Sequence, residues 1–424
     1  MRTAVANYFV RYSSCLVLLA VTASSCSDDD HASAPVPNAG GDPGSNEAGA
    51  SSTSTAAGVS GSDGGAAGST PGSGGDPGNG GAFVAGAGAA EGGNAGEAPT
   101  QGGTGGTTPT SAEPPSCRGG AKPPICGPNV DSCCLSLTIP GQTFFRSYDG
   151  VSSNYLSQDS PASVSSFRLD RFEVTVGRFR KFVDAVIASW RPAAGSGKHT
   201  HVHDQQGLTN IGADGGYEGG WDESWNDELP GDADEWNLAL ACDPQKSTWT
   251  PEPGGSELAP INCLSWHEAY AFCIWDEGFL PTEAEWNDAA TGGEQQRAYP
   301  WSLVPTSLDI DCLHANYAPL GEFCTAPPTG TVAAVGSRST KGDGRWGHAD
   351  LGGNVYEWTL DAYADSYVTP CQDCANLGGT LHSIRGGGYG NDAPDLLAST
   401  RGANQAAGRS TSLGVRCARP PASE

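Results

Sequence analysis

Cysteine offers the most chemistry in this chain. There are 14, of which Cys15 and Cys26 lie near the start and twelve lie between Cys117 and Cys417. An even set in an exported chain reads as a disulfide framework. Zinc is the competing reading. Cys371-Gln-Asp-Cys374 has ligand spacing, but no second such pair and no nearby histidine pair completes a tetrahedral site. His199, His201 and His203 alternate, with Asp204 next. Side chains two apart share one face of an extended segment, so three imidazoles there suit a transition metal. A polar, solvated loop has the same spacing, and the sequence leaves both readings open. After a glycine run come Asn391, Asp392, Asp395 and Arg401, a candidate polar pocket. The run Gly390-Asn-Asp-Ala-Pro394 is also ordinary turn chemistry, and no nucleophile–base pair is readable in it.

These groups need a folded scaffold, and only part of the chain can supply one. Residues 27–116 hold 24 glycines in 90 positions, one aromatic (Phe83) and no Lys or Arg. Such a stretch cannot bury enough apolar surface to offset its ordering entropy. All 11 Trp lie beyond it, from Trp190 to Trp358. Ahead of it, Arg2 and Arg11 precede the apolar run Cys15–Val21, too short for a mature membrane span and readable as a secretory signal. Ala23, Ser24 and Ser25 before Cys26 resemble a lipobox, so Cys26 is the expected lipidation site of an exported, envelope-anchored protein; Ala23 stands where the motif prefers Leu or Val, which leaves ordinary signal cleavage as the alternative. The domains expected are therefore a signal over 1–25, a lipidated linker over 26–116, a Cys-rich lead-in over 117–136 and a folded domain over 137–420. A flexible linker of that length has an end-to-end distance of roughly 50–60 Å.

Net charge is −26, with −10 in the linker, +2 before it and −18 in the rest. An acidic folded part argues against nucleic acid and anionic lipid as partners, since phosphate contacts need Lys and Arg. Within that part, Val164–Asp170 alternates apolar and polar residues as a strand does. Thr175 can cap a helix over 176–189, with Phe179, Phe182, Val183 and Val186 on one face. A Gly- and Trp-rich loop region is expected over 191–249. Ser265-Trp-His-Glu268 and Thr282-Glu-Ala-Glu285 are tandem capping boxes, each opening a helix. From Gly292 onward, short strands joined by long ordered loops are expected.

The motif order resembles the sulfatase-modifying-factor, or formylglycine-generating-enzyme, family. The matching segments are Ile139–Phe144, Phe167–Thr175, Pro260–Trp266, Leu280-Pro-Thr-Glu-Ala-Glu-Trp286, Tyr299–Trp301, Asp350-Leu-Gly-Gly-Asn-Val-Tyr-Glu-Trp358, Arg385–Tyr389 and Gly414–Ala418. The resemblance covers residues 137–420. It implies an α+β fold related to C-type lectins, irregular and disulfide-rich. Taken one by one, the Trp and Gly residues of these motifs build core and turns.

Enzymes of that family oxidise a sulfatase cysteine to formylglycine, using copper held by two cysteines. Cu(I) is soft and selects thiolates. The positions matching those cysteines are Asn391 and Leu396, neither of which supplies sulfur, so copper and formylglycine generation are not expected. The resemblance also implies structural calcium, held by Asp350 and Glu357 side chains and the Gly353 and Val355 carbonyls. Such an oxygen array suits a hard cation. A second family calcium site would include Asn316 and the Tyr317 carbonyl, but 325–333 shows no acidic ligand for it. Cys273–Cys417 is the disulfide the resemblance implies; Cys312–Cys324 and Cys242–Cys263 are paired by proximity alone. Three functions follow in order: a non-catalytic binding module for a glycan, peptide or envelope protein; an oxidoreductase of altered chemistry in the same pocket; and a purely structural surface protein.

Overall fold

The computed structural model describes residues 113–119, 124–324 and 331–422. The signal-like segment, Cys26 and nearly all of the linker lie outside the described residues. Composition sets the linker's end at residue 116, whereas the structure places the chain from 113. Pro115–Cys117 forms a 3-10 turn, and the Ser116 N–H donates to Asp276 Oδ1 (2.9 Å). The lead-in is thus fastened to the domain by a buried contact that composition cannot show.

In chain order the strands and helices are β1 (Ile125–Cys126), β2 (Asp131–Ser132), β3 (Ser136–Ile139), β4 (Gln142–Phe145), β5 (Pro161–Val164), β6 (Phe167–Asp170), α1 (Val176–Ile187), β7 (Thr209–Asn210), α2 (Ala233–Leu240), α3 (Trp266–Trp275), α4 (Glu283–Thr291), β8 (Tyr356–Ala362), β9 (Cys371–Gln372), β10 (Cys374–Ala375), β11 (Leu381–Arg385), β12 (Arg401–Gln405), β13 (Leu413–Gly414) and β14 (Ala418–Arg419). The largest sheet runs β12-β11-β8-β13. Two three-stranded sheets, β14-β6-β3 and β4-β5-β9, and the pairs β1-β2 and β10-β7 complete the set among the described residues. This is the mixed α+β architecture expected, with short strands.

Local sequence explains the helices. Thr175 caps α1 by accepting from the Arg178 N–H. Both capping boxes form: Ser265 with Glu268 starts α3, and Thr282 with Glu285 starts α4. Gly292, left-handed at φ 65°, ends α4. The loop region expected over 191–249 contains α2, which is a correction. Asp232 accepts from the Glu235 N–H at its start, and Trp236 and Leu240 are its buried residues. An Asp-x-x-Glu start signal stood in the sequence, masked by the surrounding Gly and Trp.

The main core lies between α1, α3 and the large sheet. Phe179 of α1 stacks on Phe272 of α3 at 5.6 Å, and Trp236 meets Phe179 edge-on at 5.8 Å. Among the described residues six disulfides join Cys117–Cys134, Cys126–Cys133, Cys242–Cys263, Cys273–Cys417, Cys312–Cys324 and Cys371–Cys374. The Cys371–Cys374 bridge links β9 to β10, so that pair is a buried clasp rather than half of a zinc site. Among the described residues no helix is long and apolar enough to cross a membrane.

Candidate functional site

β11 delivers Arg385 into the glycine-rich turn, and a short 3-10 turn, Ala393–Leu396, follows. The Asn391 carboxamide accepts from the Gly388 N–H (3.0 Å) and donates to Asp395 Oδ2 (2.7 Å). Asn391 thus closes the turn on itself. Leu396 is fully buried among Ala298, Tyr299, Trp301, Ala315 and Tyr317. Two left-handed glycines make room for it. A Cβ on Gly387 (φ 73°) would lie 2.8 Å from Leu396 Cδ1, and one on Gly353 (φ 94°) 3.2 Å from Cδ2. The place that the resemblance gives to a second thiol is therefore filled with packed hydrocarbon.

The four-residue polar pocket does not assemble, which corrects the sequence reading. Asn391 and Asp395 pair with each other, and Asp392 is exposed. Arg401 belongs elsewhere. On β12, it donates to both oxygens of Glu283 (2.6 and 2.8 Å) and lies over the Tyr363 and Tyr367 rings at 4.6 and 4.2 Å. Arg385 donates to the same carboxylate (2.9 Å) and to the Tyr367 hydroxyl (2.7 Å). Burial alone would raise the Glu283 carboxyl, but Arg401 and Arg385 outweigh it and hold it at about 2. This is a satisfied structural knot between α4 and the large sheet. Turn spacing placed Arg401 near Asn391 in sequence, and the strand direction of β12 carried it away.

The three histidines do not converge either. His199 is fully buried, with Nδ1 3.0 Å from Glu218 and Nε2 3.1 Å from Glu285. Burial opposes its charge, yet the two carboxylates hold it up at about 10. An imidazolium with both nitrogens committed has no lone pair for a metal. His201 stacks on Phe279 at 5.4 Å, and His203 Nε2 sits 3.3 Å from the Thr209 hydroxyl. The segment ties the long 191–249 region to the start of α4.

Around the loop before β8 the structure gathers acids. Asp350 accepts from the Gly336 N–H (2.5 Å). Both oxygens of Glu357 accept from Arg416 (2.6 Å each), and one also accepts from Trp286 Nε1 (2.8 Å). Glu173, unremarked in the sequence beyond its place in the Phe167–Thr175 motif, joins them. It is fully buried and accepts from Asn354 Nδ2 (2.7 Å) and the Val355 N–H (3.3 Å). Burial, then Asp350 and Glu357, push its carboxyl well above the ordinary range. Burial likewise lifts Asp350 to about 6. Three carboxyls thus share one guanidinium in a dry site. Glu357 is committed to Arg416, whereas Glu173 and Asp350 have no ion pair among the described residues; no group of three His, Cys, Asp or Glu side chains among them is placed to hold a metal ion. Of the second site, Asn316 is buried and donates to Asn354 Oδ1 (3.1 Å), while 325–330 lies outside the described residues.

Fold and motifs together define a scaffold of the formylglycine-generating-enzyme type. Residues 135–421 match the Sulfatase-modifying factor enzyme 1-like domain, and the chain belongs to that family. It is 34% identical over 187 residues to a formylglycine-generating enzyme of Streptomyces coelicolor, covering 40% of this chain and 56% of the relative. It is 34% identical over 168 residues to the inactive Cα-formylglycine-generating enzyme 2 of Bos taurus, covering 38% of this chain and 52% of the relative. The match thus spans about half the length of these curated relatives. Among solved structures, PvdO from Pseudomonas aeruginosa aligns with a TM-score of 0.45 and 16% identity, covering 68% of this chain and 94% of that one.

Proposed function

We propose that this chain is a non-catalytic binding module of the cell envelope, exported and tethered through a lipid on Cys26, that recognises a glycan, peptide or envelope protein. One observation carries the reading. All twelve cysteines among the described residues are consumed in six disulfides, and Leu396 is packed where the family's chemistry would need sulfur. Copper(I) finds no thiolate donor there. The disulfides suit an oxidising compartment, in keeping with export. An inactive relative in the same family shows the scaffold without the activity. The altered-oxidoreductase reading is weakened by the scattering of Asn391, Asp392, Asp395 and Arg401. To test the proposal, the purified protein is incubated with copper, oxygen, reductant and a sulfatase-motif peptide. No aldehyde is expected; formylglycine above the protein-free control overturns the reading.

Calcium belongs to the same proposal as a structural ion. Asp350 and the Gly353 and Val355 carbonyls would hold it, with Glu173 facing the same loop and Glu357 held back by Arg416. Its contribution is to neutralise buried carboxylate, which stabilises the folded state by mass action. Millimolar calcium is expected to raise the melting temperature by several degrees, and a chelator to reverse it. Glu173→Gln raises the calcium-free melting temperature and shrinks the calcium increment. No increment in the wild-type protein counts against the ion.

A further inference from the structure

A cleft of about 350 Å³ opens beside the end of β4, between Thr143–Phe145, the turn at 148–150 and the loops carrying Glu294–Gln296 and Pro305–Thr306. That volume is at the small end of the range for ligand pockets. Its walls are fixed in advance. The Gln296 carboxamide accepts from the Phe145 N–H (2.6 Å) and donates to the Phe145 and Tyr148 carbonyls (3.1 and 3.0 Å). Asp149 accepts from the N–H groups of Val151 and Ser152 (2.9 and 2.8 Å) and from the Ser399 hydroxyl (2.5 Å). A ligand would not have to order these loops, which lowers the entropic cost of binding.

The groups left over define the ligand. Among the described residues, no hydrogen bond engages the Tyr148 hydroxyl, the Gln158 carboxamide or the Thr306 hydroxyl. The Glu294 carboxylate meets only Arg345, at 3.9 Å. Phe145 and Tyr148 stand edge to face at 6.3 Å, both half-buried, and supply an apolar wall. No Lys or Arg lines the cleft. Hydroxyl and amide groups beside aromatic rings, with two lining carboxylates (Asp149, already hydrogen-bonded, and Glu294) and no lining cation, match a neutral polyhydroxylated ring. Such a ring presents C–H on its face and O–H at its rim. A phosphate, sulfate or uronate would meet the Glu294 carboxylate, whose cationic neighbour Arg345 lies 3.9 Å from it and outside the lining. An added peptide strand is disfavoured for another reason. The Gln296 side chain already occupies the outward N–H and C=O of Phe145, the groups that strand addition would need.

We infer that this cleft is a binding site for a neutral saccharide, gripped against Phe145 and Tyr148 and hydrogen-bonded by Gln158, Glu294 and Thr306. The inference deepens the binding-module reading and rests on it. The test titrates the full chain by calorimetry with neutral cello-, malto-, xylo- and chito-trisaccharides, a heparin tetrasaccharide and an unstructured peptide. At least one neutral trisaccharide is expected to bind. Tyr148→Ala, which removes the ring, and Thr306→Trp, which fills the cleft from an exposed position, each weaken it by about tenfold or more. Unchanged melting temperatures of both variants exclude misfolding as the cause. If none of the neutral sugars binds, the inference is overturned. It is equally overturned if heparin or the peptide binds in their place, or if binding ignores both substitutions. The last two outcomes leave the binding-module reading standing, whereas aldehyde formation in the copper assay would remove that reading alone.

Discussion

His199 shows how one buried side chain can serve as a fastener. Its charge is stable only because Glu218 and Glu285 lie on either side in a dry site, at 3.0 and 3.1 Å. A group whose folded value stands above the ordinary 6.5 binds its proton more tightly in the native state. Its contribution to stability is therefore whole below about pH 6.5 and is lost as pH rises toward about 10. Denaturant titrations between pH 6 and 10 should show falling stability, and the His199→Gln variant should lose most of that slope. A slope equal in both proteins would show that His199 is not the group responsible. The same side chain explains why a histidine spacing suited to metal binding misleads: the two carboxylates that claim the ring nitrogens come from 19 and 86 residues away.

At the scale of the element, the start of α4 carries two functions at once. Thr282 accepts from the Glu285 N–H (2.9 Å), and Glu285 accepts from the Thr282 N–H (2.8 Å) while also pairing with His199. Thr282→Ala removes one cap bond and is expected to cost about 1 kcal/mol. Glu285→Ala removes the reciprocal bond and strands a buried imidazolium, so about 3–5 kcal/mol is expected. Urea unfolding of the two variants compares the costs; equal losses would mean that Glu285 acts only as a cap. Both capping boxes were legible because they are local: a hydroxyl and a carboxylate three residues apart need no tertiary partner. The α2 start, Asp232 with Glu235, carried the same kind of signal and was obscured by its Gly-rich surroundings. Strand pairings such as β5 with β9 were not legible, since each strand is only two to four residues long and its partner is distant.

Across the whole molecule, Cys273–Cys417 ties α3 to the C-terminal segment over 144 residues. A cross-link closing so long a loop removes much of the unfolded chain's freedom. The Cys273→Ala, Cys417→Ala double variant should lose about 3–5 kcal/mol. Opening Cys371–Cys374, which spans three residues, should cost far less. Urea midpoints of the two double variants measure the difference, and equal losses would speak against the loop-length argument. The bridge also fixes Val415 and Ala418 in the core, beside Arg416 and the acidic loop that pairs with it.

Sequence alone determined the family, the capped helix starts, and the lack of sulfur at Asn391 and Leu396. Each is a matter of composition or of contacts within a few residues, which linear order preserves. Only the tertiary structure decided the fate of the isolated polar groups. Arg401 went to Glu283, His199 to two glutamates, and Glu173 joined Asp350 beside a loop nearly two hundred residues on. Burial is the physical reason. A charged group removed from water must find a partner wherever the chain brings one, and that choice is made by packing rather than by spacing.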